Sequence, residues 1–317
     1  MHVLLITLSN IGDVVLATPV IELLMHRFPG LRFDIAGDAR SLPLLAGTPG
    51  LRHCFSKDKS RAGRGAFGLL RALRRGRYDL TIDLRSPLMG RLTRCRRALC
   101  VPWGGRPPGR HAAQDHVYVV RPLFGAIEPP PARLHLPPDV QRWATARLEG
   151  LPRPRIAIAP GANWAPKIWP SGHYAALMQA LAPRIGSWVV LGSEADREAA
   201  GRLLAVRGRP LLDAVGGAGL LQAAALLAEC DAFVGNDSGL GHVAAAVGLP
   251  TLTVFGPGQP ERYRPWGPRA AWLVAPGREL AALAPPVVER ALDALLDARG
   301  DPTTGLQAVG GRPVSSS

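Results

Sequence analysis

Val3-Leu4-Leu5-Ile6-Thr7-Leu8-Ser9-Asn10-Ile11-Gly12-Asp13, followed by a long stretch from Val14 to Phe28, reads as strand, tight turn and helix. A continuous apolar run such as residues 3–8 suits a parallel strand buried on both faces. Gly12 permits the turn, Asp13 falls at the start of the helix, and Pro29-Gly30 ends it. Working outward, the same grammar recurs. Residues 32–36, 79–83 and 98–101 read as further strands, with a basic helical segment over 66–75. Prolines 122, 129, 130, 131, 137 and 138 crowd a stretch that no helix or sheet interior tolerates, so it is a connector. A short helix over 139–148 leads to Gly150 and Pro152-Arg153-Pro154, where the domain boundary is expected. Strands over 155–159, 188–191, 210–213, 232–235 and 251–255 then alternate with helices over 170–181, 194–206, 220–229 and 240–247, and a last helix covers 285–299. Such alternation predicts an α/β protein with two domains built on parallel sheets, residues 1–150 and 151–300. Residues 301–317 are small and polar and are expected to be a disordered tail.

A chain of 317 residues, 47% apolar and 20% charged, has enough material for two cores. No apolar run reaches the ~18–20 residues that a membrane-spanning helix needs. The apolar start lacks a basic lead and soon meets Asp13, so a cytoplasmic protein, soluble or associated with a membrane surface, is expected. Four cysteines without a C-x-x-C pair are no disulfide framework, and eight histidines without ligand spacing predict no structural metal. The net charge of +14 is lopsided: residues 1–150 carry 23 basic and 11 acidic side chains, the remainder 15 and 13. Residues 85–110 alone hold seven arginines and no acid. Such a field draws polyanions, although in a chain with 35 arginines and 3 lysines it also fits a solvated basic face. The basic stretches lack interleaved aromatics, which argues against a specific nucleic-acid partner.

Ligands of open parallel sheets bind beyond the carboxyl ends of the strands. Four loops there carry unusual chemistry. In the first, Asp13 is either a helix-capping carboxylate or a general base. The second runs from Pro160-Gly161-Ala162 to Lys167-Ile168-Trp169-Pro170. Lys167 is the single lysine after residue 59, and a compact ammonium suits a phosphate oxygen, though an ordinary exposed lysine also fits. The third, Gly235-Asn236-Asp237-Ser238-Gly239-Leu240-Gly241-His242, follows a strand and opens a helix, where free amides make an anion site. Asp237 or Ser238 as a plain helix cap is the alternative, and His242 is either a site residue or a packed histidine. The fourth, Phe255-Gly256-Pro257-Gly258, is a rigid turn. No Asp-x-Asp occurs, so the carboxylate pair that usually holds a divalent ion on a diphosphate is missing.

Residues 8–15 with Thr18-Pro19, residues 78–84, residues 160–170, Gly235 to His242 with Gly248-Leu249-Pro250, and Phe255-Gly256-Pro257 occur in one order. In this they resemble glycosyltransferase family 9, the ADP-heptose:lipopolysaccharide heptosyltransferases. The resemblance implies a GT-B architecture: two Rossmann-like domains facing a cleft, the first receiving the acceptor, the second the nucleotide sugar, with the final helix packing back toward the first. It implies inverting, metal-independent transfer of heptose from ADP-heptose to an anionic lipopolysaccharide core, and no cofactor beyond the donor substrate. By position, Asp13 looks like the base and Lys167 like the cation on the donor phosphates. Asp237 and His242 line the donor, Ser238, Gly239 and Leu240 offer amides, and Gly161 belongs to the same loop. Asp213 is a candidate for the ribose. Ser9 and Asn10, with Arg71, Arg74, Arg75 and Arg77 on one helix, are expected to face the acceptor or the inner membrane. The competing readings are the same fold with another nucleotide sugar, or a non-catalytic binder of nucleotide sugars or polyanions.

Overall fold

The computed structural model describes residues 1–56, 64–105 and 110–297, and the chain divides into two units, Met1–Pro137 and Pro138–Ser317. The first unit holds β1 (His2–Ile6), β2 (Arg32–Gly37), β3 (Leu51–Ser56), β4 (Tyr78–Asp83) and β5 (Cys95–Cys100) in the order β3-β2-β1-β4-β5. Every pairing is parallel. The second holds β6 (Arg155–Ala159), β7 (Ser187–Gly192), β8 (Leu211–Val215), β9 (Ala232–Asn236), β10 (Thr251–Phe255) and β11 (Ala270–Val274) in the order β11-β10-β9-β6-β7-β8, again all parallel. Both are doubly wound α/β sheets, so the order reverses between β1 and β4 in one and between β6 and β9 in the other. Loops diverge at such a reversal and leave a crevice at the carboxyl edge.

The central strands form because their residues are apolar on both faces: Val3, Leu4 and Leu5 are fully buried in β1, Ile156, Ala157 and Ile158 in β6. β3 escaped the sequence reading because most of its residues are exposed, and it is held at the sheet edge by its ladder to β2. β11 was missed as well, although its five residues are all apolar and alternate half-buried and buried. The expected helix over 14–28 is two helices, Ile11–Leu16 and Thr18–Arg27; Pro19 sits in the first turn of the second, and the Thr18 hydroxyl donates to the Val15 carbonyl at 2.7 Å.

The proline-rich connector belongs to the first unit. Arg133 N–H donates to Thr18 Oγ1 at 3.0 Å, and the His135 ring lies 2.7 Å from Glu22. The division therefore falls at Pro137 rather than near residue 150. The helix Pro138–Arg147 packs on Leu220–Ala228 of the second unit, and Arg155 at the start of β6 donates to the carbonyls of Leu148 and Leu151. The last helix, Pro285–Asp297, puts Val288, Leu292 and Leu295 into the second unit's own core; each such side chain contributes about 1.5–3 kcal/mol by leaving water. Its far end and the expected disordered tail lie outside the described residues.

Candidate functional site

The loops after β6, β9 and β10 meet at the carboxyl edge of the second unit, and one buried amide joins the first two. Asn236, the last residue of β9, is wholly buried. Its Oδ1 accepts from the Trp169 amide and the Tyr174 hydroxyl, both at 3.0 Å; its Nδ2 donates to the carbonyls of Pro160 at 2.7 Å and Gly161 at 3.4 Å. A fully satisfied buried amide of this kind fixes both chains it touches. Trp169, itself buried, is pinned again by its indole N–H on the Leu283 carbonyl at 2.9 Å. Lys167 therefore stands two residues from a rigid anchor, at the end of the one-turn helix Ala165–Lys167.

Lys167 Nζ lies 2.6 Å from Asp237 Oδ2; the lysine side chain is 29% exposed, the aspartate 8%. The ammonium keeps a face open to solvent while the carboxylate does not. Carboxylate side chains press on two nearby glycines: a Cβ on Gly258 would stand 2.3 Å from Asp237 Oδ2, and one on Gly161 1.9 Å from Asp196 Oδ1. Ser238 precedes the helix Gly239–Ala246 without any side-chain cap bond. The plain capping role is thus not what Ser238 performs, and the first-turn amides, including Gly239 and Leu240, have no intrahelical acceptor.

His242 on that first turn is buried, and its Nδ1 has no partner. Burial first, and the Lys167 charge second, pull its pKa down to about 4. The ring is neutral near pH 7 and offers one N–H and one lone pair rather than a charge. The sign of the linkage follows. The unfolded chain, with an ordinary imidazole, takes up its proton first as pH falls below ~6.5, so folding stability drops until the folded ring titrates as well. Denaturant unfolding is expected to show about 2 kcal/mol of His242-dependent loss between roughly pH 7 and pH 5. The same loss in His242→Gln removes the assignment.

A family model for glycosyltransferase family 9 (heptosyltransferase) matches residues 66–284, more than half of the chain. This chain belongs to glycosyltransferase family 9. It is a glycosyltransferase. Lipopolysaccharide heptosyltransferase 1 of Pseudomonas aeruginosa is 30% identical over 82% of this chain and 80% of its own length, and lipopolysaccharide heptosyltransferase 3 of Escherichia coli is 28% identical over 80% and 82%. The solved structure of Escherichia coli heptosyltransferase WaaC with ADP superposes with a TM-score of 0.76 at 21% identity, covering 93% of this chain and all of that one, which shows the shared GT-B fold.

In the first unit of this family 9 enzyme, Asp13 lies in the opening turn of Ile11–Leu16, directly beyond β1. It is partly buried, and Asn10 Nδ2 donates to its Oδ2 at 3.1 Å. Ser9 and Asn10 share that loop. Asp83, ending the neighbouring strand β4, is wholly buried and structural: it accepts from the amides of Arg85, Ser86 and Gly90 and from the Ser86 hydroxyl, at 2.7–2.9 Å.

Two expectations need correction. Asp213 does not follow a strand: it sits in the middle of edge strand β8, with Oδ2 2.6 Å from Arg197 and Oδ1 accepting the Val215 amide. It is not joined to the Lys167–Asp237 pair. The basic cluster is also not on one helix. The helix is Arg64–Leu73, so Arg71 ends it, while Arg74, Arg75 and Arg77 follow it and lead into β4. All four are exposed. Those leading into β4 stand at the amino edge of the sheet, whereas Asp13 is at the carboxyl edge.

Three residues were missed. Asn236 was quoted only as part of its loop, because its role depends on partners more than sixty positions away. Asp196, beyond β7, walls the Gly161 loop; Gly192-Ser193-Glu194-Ala195-Asp196 after an apolar strand carried the same signal as the loops that were read. Arg278, beyond β11, has an unusual φ of 63° and donates to the Gly258 carbonyl at 2.9 Å, beside Asp237. Among the described residues no group of three histidines, cysteines or acids is arranged to hold a metal ion, and no helix is long and apolar enough to cross a membrane.

Proposed function

We propose that this enzyme moves a heptose from ADP-heptose to the core saccharide of a lipopolysaccharide, with inversion at the anomeric carbon and without a metal ion or cofactor. It would act in the cytoplasm, at the inner face of a membrane that carries the acceptor. Support for the donor comes from relatives whose names state lipopolysaccharide heptosyltransfer and from a fold neighbour solved with ADP.

The observation that carries the reading is the Lys167–Asp237 pair at 2.6 Å, beside uncapped helix amides, where β6 and β9 diverge. An ADP leaving group accumulates negative charge as the glycosidic oxygen departs. The partly exposed ammonium of Lys167 and the amides of Ser238, Gly239 and Leu240 supply fixed positive charge to it, as a divalent ion would elsewhere. Asp237 orients the ammonium. Neutral His242 donates or accepts a hydrogen bond without adding to the charge. The acceptor hydroxyl oxygen attacks the anomeric carbon opposite the leaving diphosphate, its proton passes to the Asp13 carboxylate, and the carbon–oxygen bond to ADP breaks. Ser9 and Asn10 hold the acceptor beside that carboxylate.

The test is a thermal-shift comparison of ADP-heptose with GDP- and UDP-sugars. ADP-heptose is expected to raise Tm, by the amount ligand linkage dictates, and Lys167→Ala to abolish the rise. A larger rise with another base or sugar overturns the donor assignment.

A further inference from the structure

Among the described residues of the first unit six large apolar side chains stand exposed, and three of them lie in the segments just beyond β4 and β5. Leu88 is 48% exposed, Leu92 45% and Trp103 71%. Leu88 and Leu92 bracket the one-turn helix Met89–Leu92 in the segment after β4, and Trp103 lies three residues beyond the end of β5. Those strand ends are neighbours, with Asp83 opposite Cys100, and Gly90 packs so tightly on both that a Cβ there would meet Asp83 at 2.9 Å and Cys100 Sγ at 3.0 Å. Arg91 links the two parts. Its guanidinium donates to the Pro87 carbonyl at 2.5 Å and lies 5.8 Å from the centre of the Trp103 ring.

We propose that Leu88, Arg91, Leu92 and Trp103 form a docking surface for an anionic lipid membrane. The proposal rests on the reading of the acceptor as lipid-linked. Solvent-exposed leucines and a tryptophan in one patch need a reason in a water-soluble unit. A tryptophan ring with a guanidinium against it matches the boundary between headgroups and acyl chains, where aromatic rings concentrate and arginine meets phosphate. The charge agrees: Arg85, two residues beyond β4, and Arg91 are both exposed at this edge, and basic side chains are drawn to an anionic leaflet. Location agrees as well. The patch occupies the carboxyl edge of β4 and β5, the edge at which Asp13 stands beyond β1. With strands about 4.8 Å apart, β1 and β5 are separated by roughly 10 Å, the length of one or two sugar rings. A lipid held at the patch would thus present its first sugars to Asp13. The arginines that lead into β4, at the opposite edge, could not do this.

The experiment is co-sedimentation of the full chain with vesicles of phosphatidylcholine alone or mixed with phosphatidylglycerol, at about 0.15 M salt. The wild type is expected to bind the mixed vesicles, and Leu88→Ser/Leu92→Ser/Trp103→Ser to bind them at least about tenfold more weakly. Arg91→Ala loses the preference for the anionic mixture. Transfer to a lipid-free acceptor saccharide stays at wild-type rate in these variants, which also shows that they fold; Trp103→Ser alone serves if the triple variant does not. Equal binding by variant and wild type overturns the proposal, and so does wild-type preference for single-stranded RNA over vesicles in the same assay. Vesicle binding that depends on Trp103, in a chain that transfers no heptose, upholds the docking surface and removes the proposed function instead.

Discussion

Asp13→Ala is expected to lower kcat by about 10²–10⁴-fold, the range that a positioned general base typically contributes, while leaving ADP-heptose affinity unchanged. The reason is positional. Asp13 is held in the first turn beyond β1, in the first unit, whereas the groups assigned to the diphosphate belong to loops of the second. On the proposed reading, removing the carboxylate takes away the proton acceptor and leaves the Lys167 loop as it is. Asp13→Asn keeps the volume and one oxygen near the Asn10 amide but cannot accept the proton, so it should fall as far as alanine. Stopped assays with both variants decide the matter. Full turnover in Asp13→Asn would remove the base from the mechanism.

The second large effect concerns Lys167. Lys167→Ala should reduce kcat by about 10²–10³-fold, as the loss of one donor aimed at developing charge does in other transferases and hydrolases. It should also lower Tm, because Asp237, 8% exposed, is left without the ammonium at 2.6 Å. The two consequences can be separated. Lys167→Ala with Asp237→Asn removes the stranded carboxylate and is expected to recover much of the Tm but none of the turnover. Lys167→Arg keeps the charge but replaces a compact ammonium 2.6 Å from Asp237 with a planar guanidinium on a different stem, so it should stay well below wild type. A double variant that regains activity along with stability would mean that the pair is structural and that phosphate is met elsewhere.

Much of this was legible in one dimension. Buried strands announce themselves as short runs dominated by apolar and β-branched residues: residues 155–159 and 251–255 were read with the ends that β6 and β10 have. Glycine-rich loops at their ends, one lone lysine, and a carboxylate at a helix start are local patterns, and local patterns survive without coordinates. The edge strand β3 was not legible, because an exposed edge strand is stabilised by its neighbour's backbone rather than by its own apolar content. The basic cluster before β4 misled for a related reason: its charge is plain in the sequence, but the edge of the sheet at which it emerges is not.

Read alone, the amino-acid order thus gave away the class of fold, two parallel α/β units, and it nominated the carboxylate, the ammonium and the amide-bearing helix start on which the proposed mechanism rests. Folding in three dimensions set the strand order and hence where each sheet opens. It brought Asn236 onto Trp169, Tyr174 and Pro160, set Asp237 against Lys167, and tied Asp213 to Arg197. It also gathered Leu88, Leu92 and Trp103 beside Arg91 at one edge. The physical reason is range. Periodicity and turn chemistry act over a few residues, whereas pairing, burial and ion pairing join positions tens of residues apart, and a single chain read alone carries no mark of which distant partner wins.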